Sequence, residues 1–257
     1  MDTILILTIL VVIFALAFDF INGFHDTANA IATSVSTRAL PPRVAVLLAA
    51  VMNFLGAITF VGVAKAIAKD IVDPFSLNVT PDDTTGTVVI LAALLSAITW
   101  NLLTWYFGIP SSSSHTLIGS IAGAAIAAAG FGILNYGGFS SIIIGLIASP
   151  FLALAIGFIF MSAFKVIFKN FNLYRTNKGF RTVQIFTAAI QSFTHGTNDA
   201  QKAMGIITMA LIAAGLQSTD EVQEWVRIAC AIAMGLGTSV GGYKIIKTVG
   251  GKIMKIR

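Results

Sequence analysis

Apolar residues fill long runs of this chain, at 4–37, 44–68, 87–107, 117–129, 140–164, 183–214 and 226–240, and short polar intervals separate them. Runs of roughly 20 apolar residues without strand-like alternation read as helices able to cross a hydrocarbon layer about 30 Å thick. The pattern predicts an all-α, polytopic membrane protein. Two runs are too long for one perpendicular crossing. As a single helix, residues 4 to 37 would measure about 51 Å at about 1.5 Å per residue, so this stretch is expected to bend, break or re-enter. The expected break is Asn22-Gly23, because glycine is a poor helix former and polar neighbours can satisfy freed backbone groups. The run 117–129 is short and rich in Gly and Ala, as in a helix packed closely against others.

The polar interruptions are patterned. Phe20 to Ala30 sets His25, Asp26 and Asn29 inside an apolar run, and from Ile4 to Thr37 only Asp19, His25 and Asp26 can carry charge. A charge at mid-bilayer costs about 2.5 to 3.5 kcal/mol on insertion scales, so such residues mark a path or a site. The pattern returns at Phe193 to Ala203, 173 positions later, aligning Gly23 with Gly196, Asp26 with Asp199 and Asn29 with Lys202. Two polar copies in corresponding places of two hydrophobic halves point to a secondary transporter, whose substrate site forms where broken helices meet.

With 56% hydrophobic and 11% charged residues, the chain lies far from soluble domains, in which about 25% of residues are charged. No polar interval approaches the roughly fifty residues of a separate soluble domain. The expected division is a first transmembrane repeat, 1–164, holding the signature 20–33 and a serine-rich motif at 110–116. A basic linker, 165–181, and a second repeat, 182–257, follow. The net charge of +5 is concentrated in 165–181 and 244–257, a topology signal rather than a nucleic-acid surface. The expected surroundings are therefore a lipid bilayer, in the cytoplasmic membrane, with no nucleic-acid partner. The placement of Lys and Arg puts 38–43, the linker and the tail from Lys244 in the cytoplasm, and 70–85 and 217–224 outside. The two overlong runs then cross in opposite directions, an inverted-topology repeat. Nothing in the second half corresponds to 87–164, so the repeat predicts about 80 further residues in the complete gene product, including a second Ser/Thr-rich run after a proline. Met1-Asp2-Thr3 lacks a basic n-region, so the first run is expected to be a retained span and not a cleaved signal. Cys230 reads as a small core residue.

The groups that could carry chemistry gather in three places. Pro110 followed by Ser111 to Ser114 offers hydroxyls beside the unpaired N–H groups that open a helix, a cradle for an anion or else a polar linker. Asp26 and Asp199 are acceptors; they could hold Na⁺, accept a hydrogen bond from a protonated oxyanion such as phosphate near neutral pH, or simply cap a broken helix. Asn29 and Asn198 could bind through either amide atom, and Lys202 could pair with an aspartate or neutralise substrate charge. The histidines, His25, His115 and His195, all sit in or beside these motifs and are candidates for proton coupling. Three histidines without a Cys or Glu cluster make a poor zinc site. Ser114 and His115 are adjacent, so they do not face each other as a hydrolase pair would.

The stretches Gly23-Phe24-His25-Asp26-Thr27-Ala28-Asn29-Ala30 and His195-Gly196-Thr197-Asn198-Asp199-Ala200-Gln201-Lys202-Ala203-Met204-Gly205 resemble the paired signatures of the inorganic phosphate transporter (PiT) family, and Pro110 to His115 resembles its serine-rich re-entrant motif. The resemblance implies a non-enzymatic carrier without a cofactor, moving inorganic phosphate, alone or as a metal–phosphate complex, by alternating access coupled to H⁺ or Na⁺. It carries the family's anion and cation sites to Asp26, Asn29, Ser112, Ser113, Ser114, Asp199 and Gln201, and beyond these to Thr27, Asn198 and Lys202. Sulfate is the alternative substrate, since members differ in which tetrahedral anion they carry; an anion channel and a membrane-embedded hydrolase are the readings from other classes. Pairing of two copies as a homodimer is left open.

Overall fold

A computed structural model describes residues 3–60, 83–240 and 242–248. Among these residues all regular structure is helical: α1 (Thr3–Ser36), α2 (Pro42–Thr59), α3 (Thr85–Phe107), α4 (Ser113–Ala129), α5 (Tyr136–Ile167), α6 (Leu173–Ala213), α7 (Glu224–Val240) and the short α8 (Tyr243–Lys247), with a 3-10 turn at Phe131–Ile133. Four of these, α1, α2, α3 and α5, are long and apolar enough to cross a membrane. The protein is an all-α, multi-pass membrane protein. Residues 61–82, which hold the end of the expected second span and most of the acidic loop 70–85, lie outside the described residues.

The expected break at Asn22-Gly23 is absent. Helix α1 is continuous through both residues, because neither is used as a hinge. Gly23 is a contact point: a Cβ there would stand 2.5 Å from the Met234 carbonyl oxygen and 2.9 Å from Thr238 N of α7. Asn22 turns its amide to α6 instead of to freed backbone groups. Tilt, or ends standing beyond the hydrocarbon, accommodates the helix's length of about 51 Å. The second overlong run is likewise one helix, α6. The basic interval 165–181 is also mostly helical. Only 168–172 separates α5 from α6, since Asn172 caps α6 by accepting from Tyr174 N at 3.1 Å and Arg175 N at 3.2 Å.

Four helices, α1, α2, α6 and α7, form the centre, and they cross at glycines. A Cβ on Gly237 of α7 would overlap the Phe20 carbonyl oxygen of α1, and one on Gly56 of α2 would overlap that of Phe193 in α6. Phe20 and Phe193 are 173 positions apart, as Asp26 and Asp199 are. Gly196 completes the set, where a Cβ would stand 2.6 Å from Asn53 Cα. The α1–α7 and α2–α6 crossings therefore repeat one another in register. Close backbone approach at small residues is the usual packing of helices in lipid, where no hydrophobic force between helices is available.

Helices α1 and α6 run antiparallel. Asn22 Nδ2 donates to Asp199 Oδ2 at 3.0 Å and Thr37 Oγ1 to Gln184 Oε1 at 2.6 Å, so the partner number falls along α6 as it rises along α1. Helices α3 and α4 form a hairpin whose turn contains Pro110 and the serine run; α3 packs on α1, and Leu117, Ile121 and Ala125 of α4 join the same core as Val11, Phe18 and Met204. Helix α5 buries none of its residues.

Candidate functional site

The crossing of α1 and α6 and the tip of α4 bring polar groups together inside an otherwise apolar core. Helix α4 starts at Ser113, with Ser112 as its N-cap, accepting from His115 N at 3.4 Å. Pro110 thus precedes the helix. The next two serines enter the cluster. Ser113 is buried; its hydroxyl donates to Asp26 Oδ2 at 2.6 Å and lies 3.4 Å from Asp199 Oδ2. A hydroxyl has one hydrogen, so at any moment it serves one of the two carboxylates. Ser114 Oγ accepts from Lys202 Nζ at 2.6 Å, and the same ammonium lies 2.9 Å from Asp199 Oδ1.

A histidine stands beside each aspartate. His25, buried, has Nδ1 2.9 Å from Asp26 Oδ1 and Nε2 2.9 Å from Thr104 Oγ1, with Ser111 Oγ 3.3 Å from the same Nε2. His195 has Nδ1 3.0 Å from Asn53 Oδ1 and Nε2 3.4 Å from Asp199 Oδ2. Asp26, His195 and Asp199 each bring one ligand atom within 4.8 Å of the others. Two carboxylates, a lysine and two histidines thus meet where α1, α4 and α6 converge. Buried polar groups persist in a core when they are paired, and nearly all of these are.

The chain matches the family model described as "Phosphate transporter family" at residues 22–178 and 169–257. The chain belongs to the phosphate transporter family. A relative in Bacillus subtilis (strain 168), described as a probable low-affinity inorganic phosphate transporter, is 71% identical over 258 residues, covering 100% of this chain and 76% of the relative. One of the same description in Mycobacterium tuberculosis (strain H37Rv) is 44% identical, covering 98% of this chain and 60% of its own length. A solved structure titled "The sodium-dependent phosphate transporter" shares the fold, with a TM-score of 0.79 at 24% identity over 97% of this chain and 79% of that one. These relatives are described as transporters and not as enzymes.

Within this phosphate transporter family chain, the residues singled out from the sequence divide sharply. Asp26, Ser113, Ser114, Asp199, Lys202, His25 and His195 converge. Thr27 does not take part: its hydroxyl donates to the Gly23 carbonyl of its own helix. Gln201 is buried and donates to Thr197 O at 2.8 Å. Asn29 and Asn198 are exposed, outside the hydrogen-bonded cluster. His115 is exposed too, and with Ser96, Trp100 and Ser120 lines a groove that reaches the cluster's edge at Ser111 and Ser112.

Four polar residues in or near the cluster were not among the candidate site residues. Asn22 holds Asp199; Asn53 holds His195 and donates to Thr238 Oγ1 at 2.8 Å; Thr104 holds His25. Asp19, one turn before Asn22 on α1, is fully buried with neither carboxylate oxygen hydrogen-bonded. A period of three to four from the signature could have found Asn22 and Asp19, because Asp19, Asn22 and Asp26 share one stripe of α1.

Proposed function

We propose that this chain moves inorganic phosphate across the cytoplasmic membrane by alternating access, with the Asp26–Ser113–Asp199–Lys202–Ser114 cluster as its substrate and coupling site. The observation that carries the reading is Ser113, whose hydroxyl stands between the carboxylates of two antiparallel motif helices, next to a serine that already holds an ammonium. Family membership supports phosphate as the cargo. The electrostatics support coupling. With both aspartates ionised, Lys202 balances only one of them, and an unbalanced charge in a low-dielectric core is costly. A proton or Na⁺ at the Asp26–His195–Asp199 site neutralises the remainder, and the phosphate then enters against the hydroxyl and ammonium donors. A protonated phosphate donates its own hydrogen to a carboxylate; sulfate, which has none near neutral pH, cannot.

In this reading α1 and α6 are the inverted-topology repeat helices. The basic interval 165–181 and the tail face the cytoplasm, and 217–224 faces outward, in keeping with the distribution of Lys and Arg. Radiolabelled phosphate uptake into proteoliposomes tests it. Saturable uptake driven by an imposed H⁺ or Na⁺ gradient, and poorly inhibited by sulfate, is the expected result. Flux that does not saturate would identify a channel. Equal competition by sulfate would remove the argument from the substrate proton.

A further inference from the structure

One ionisable group in the core is left unused by the cluster. Asp19 of α1 is 0% exposed, and neither of its carboxylate oxygens has a hydrogen-bond partner. Ala15 and Phe18, beside it on α1, belong to the apolar core. The titratable groups that face it are Asp199 and Lys202 of α6 and the Cys230 thiol of α7, and none of them donates a hydrogen bond to it. Lys202 is already held by Asp199 and Ser114. An ionised carboxylate buried without a donor is costly in a membrane protein, and binding a proton removes that cost.

Packing does not account for a carboxylate at this place. The position 173 residues on is Ser192, which is likewise fully buried and without a hydrogen-bond partner. A small uncharged side chain therefore suffices at the matching point of α6. The surroundings do not suit a metal cation either, which takes a shell of several oxygens. Asp26, His195 and Asp199 bring ligand atoms within 4.8 Å of one another, and Asp19 is not among them.

What Asp19 does have is an acceptor on its own stripe of α1. Asn22 follows three positions on, on the same face. Its Oδ1 is buried without a donor, while its Nδ2 donates to Asp199 Oδ2 at 3.0 Å. A protonated Asp19 carries the one hydrogen that this carbonyl lacks. The O–H of Asp19 then donates to Asn22 Oδ1, and the N–H of Asn22 to Asp199. With the proton gone, Asp19 is an acceptor only, and it competes with Asp199 for the amide hydrogens. The state of Asp19 thus reaches the cluster through one amide.

We propose that Asp19 is a proton-binding site, separate from the Asp26–Asp199 cluster and linked to it through Asn22, and that it carries the proton moved together with the anion. The proton comes from water on one side of the membrane and leaves to water on the other, so Asp19 regains its starting charge in each cycle. Proton binding at Asp19 stands on burial and hydrogen bonding; its co-transport rests on the transport reading, and two measurements keep the two apart. Infrared spectra of the purified protein at neutral pH should contain a carboxylic C=O band that Asp19→Asn and Asp19→Ser both remove. The exposed-loop change Asp220→Asn should leave this band, and Asn22→Ala should shift it to higher wavenumber by taking away its acceptor. In proteoliposomes, an imposed gradient of about one pH unit supports up to about tenfold phosphate accumulation per coupled proton. Asp19→Asn and Asp19→Ser should lose that accumulation and still exchange labelled for unlabelled phosphate, a step with no net proton movement. Spectra unchanged in both variants would overturn the proton site. Accumulation retained in either variant, or exchange lost in both, would overturn its coupling role. Absence of exchange in the unaltered protein would instead sink the transport reading, and the infrared comparison then decides proton binding at Asp19 by itself.

Discussion

Helices α1 and α6 carry the same motif and use it differently. In α1 the histidine precedes the aspartate directly, His25 beside Asp26 at 2.9 Å. In α6 it sits a full turn earlier, His195 reaching Asp199 only at 3.4 Å. The position that is Asn29 in the first copy is Lys202 in the second, and only the lysine enters the cluster. Asp26 is thus held by neutral or titratable donors, and Asp199 by a fixed cation and an amide. Two helices related by sequence yield a site with unequal halves. Under the proposed reading the inequality suits an anion taken up with a cation, since Lys202 is paired with Asp199 and leaves Asp26 to other donors.

The largest expected effect separates function from stability at the two aspartates. Both Asp26→Asn and Asp199→Asn should lower phosphate uptake at least about 100-fold, the consequence of losing a few kcal/mol of ion or substrate binding. Their stabilities should differ. Asp199→Asn strands Lys202, and breaking a buried ion pair costs about 3 to 5 kcal/mol, whereas Asp26→Asn loses hydrogen bonds worth about 1 to 3 kcal/mol. Thermal unfolding in detergent reads this directly. Asp199→Asn with Lys202→Met should regain stability without regaining uptake; equal melting of the two single variants would erase the asymmetry.

Next come the glycine crossings, where the halves should behave alike. Gly56→Val and Gly237→Val each place a side chain against a carbonyl of the opposing helix, overpacking expected to cost about 3 kcal/mol or more. Equal losses in the yield of folded protein support equivalent crossings, and a loss at one alone would show that the register of the repeat is not shared.

Smaller effects belong to the hydroxyls. Ser113→Ala leaves Asp26 Oδ2 without its donor, and Ser114→Ala leaves Lys202 with its carboxylate still in place. Uptake should fall about tenfold in the first and about threefold in the second, as expected for hydrogen bonds to charged groups. The reverse order would move the centre of the site toward Lys202. Asn29→Ala, Asn198→Ala and the exposed-loop control Asp220→Asn should stay within about 0.5 kcal/mol of the parent in stability, and the pH profile of uptake should be unmoved by His115→Gln.

The helical class, and the polar residues that gather where α1 and α6 cross, were legible because they depend on local composition and spacing. A charge in an apolar run needs no three-dimensional knowledge to stand out. The continuity of α1 was not legible. Asn22-Gly23 has the local composition of a break, and only the arrival of α7 against Gly23 and of Asp199 against Asn22 turns it into a contact surface. Helical spacing alone also could not separate Asp26 from Asn29. They lie within one turn, and the difference is the tip of α4, which covers the first and leaves the second exposed. Lys202 and Ser114 meet across 88 positions, a pairing fixed by how the α3–α4 hairpin docks.

The glycine crossings also restrict how the cluster can open. Carbonyl groups of α1 and α6 seat directly in the glycine notches of α7 and α2, leaving no side-chain layer there to act as a bearing. Interlocked peptide planes resist shear as meshed teeth do, so these four helices are expected to act as a block. The α4 tip is fastened to that block differently, by hydroxyls that exchange one acceptor for another at little cost. In the proposed alternating-access reading, the serine run is the joint expected to yield, and the hairpin that turns there is the part expected to move.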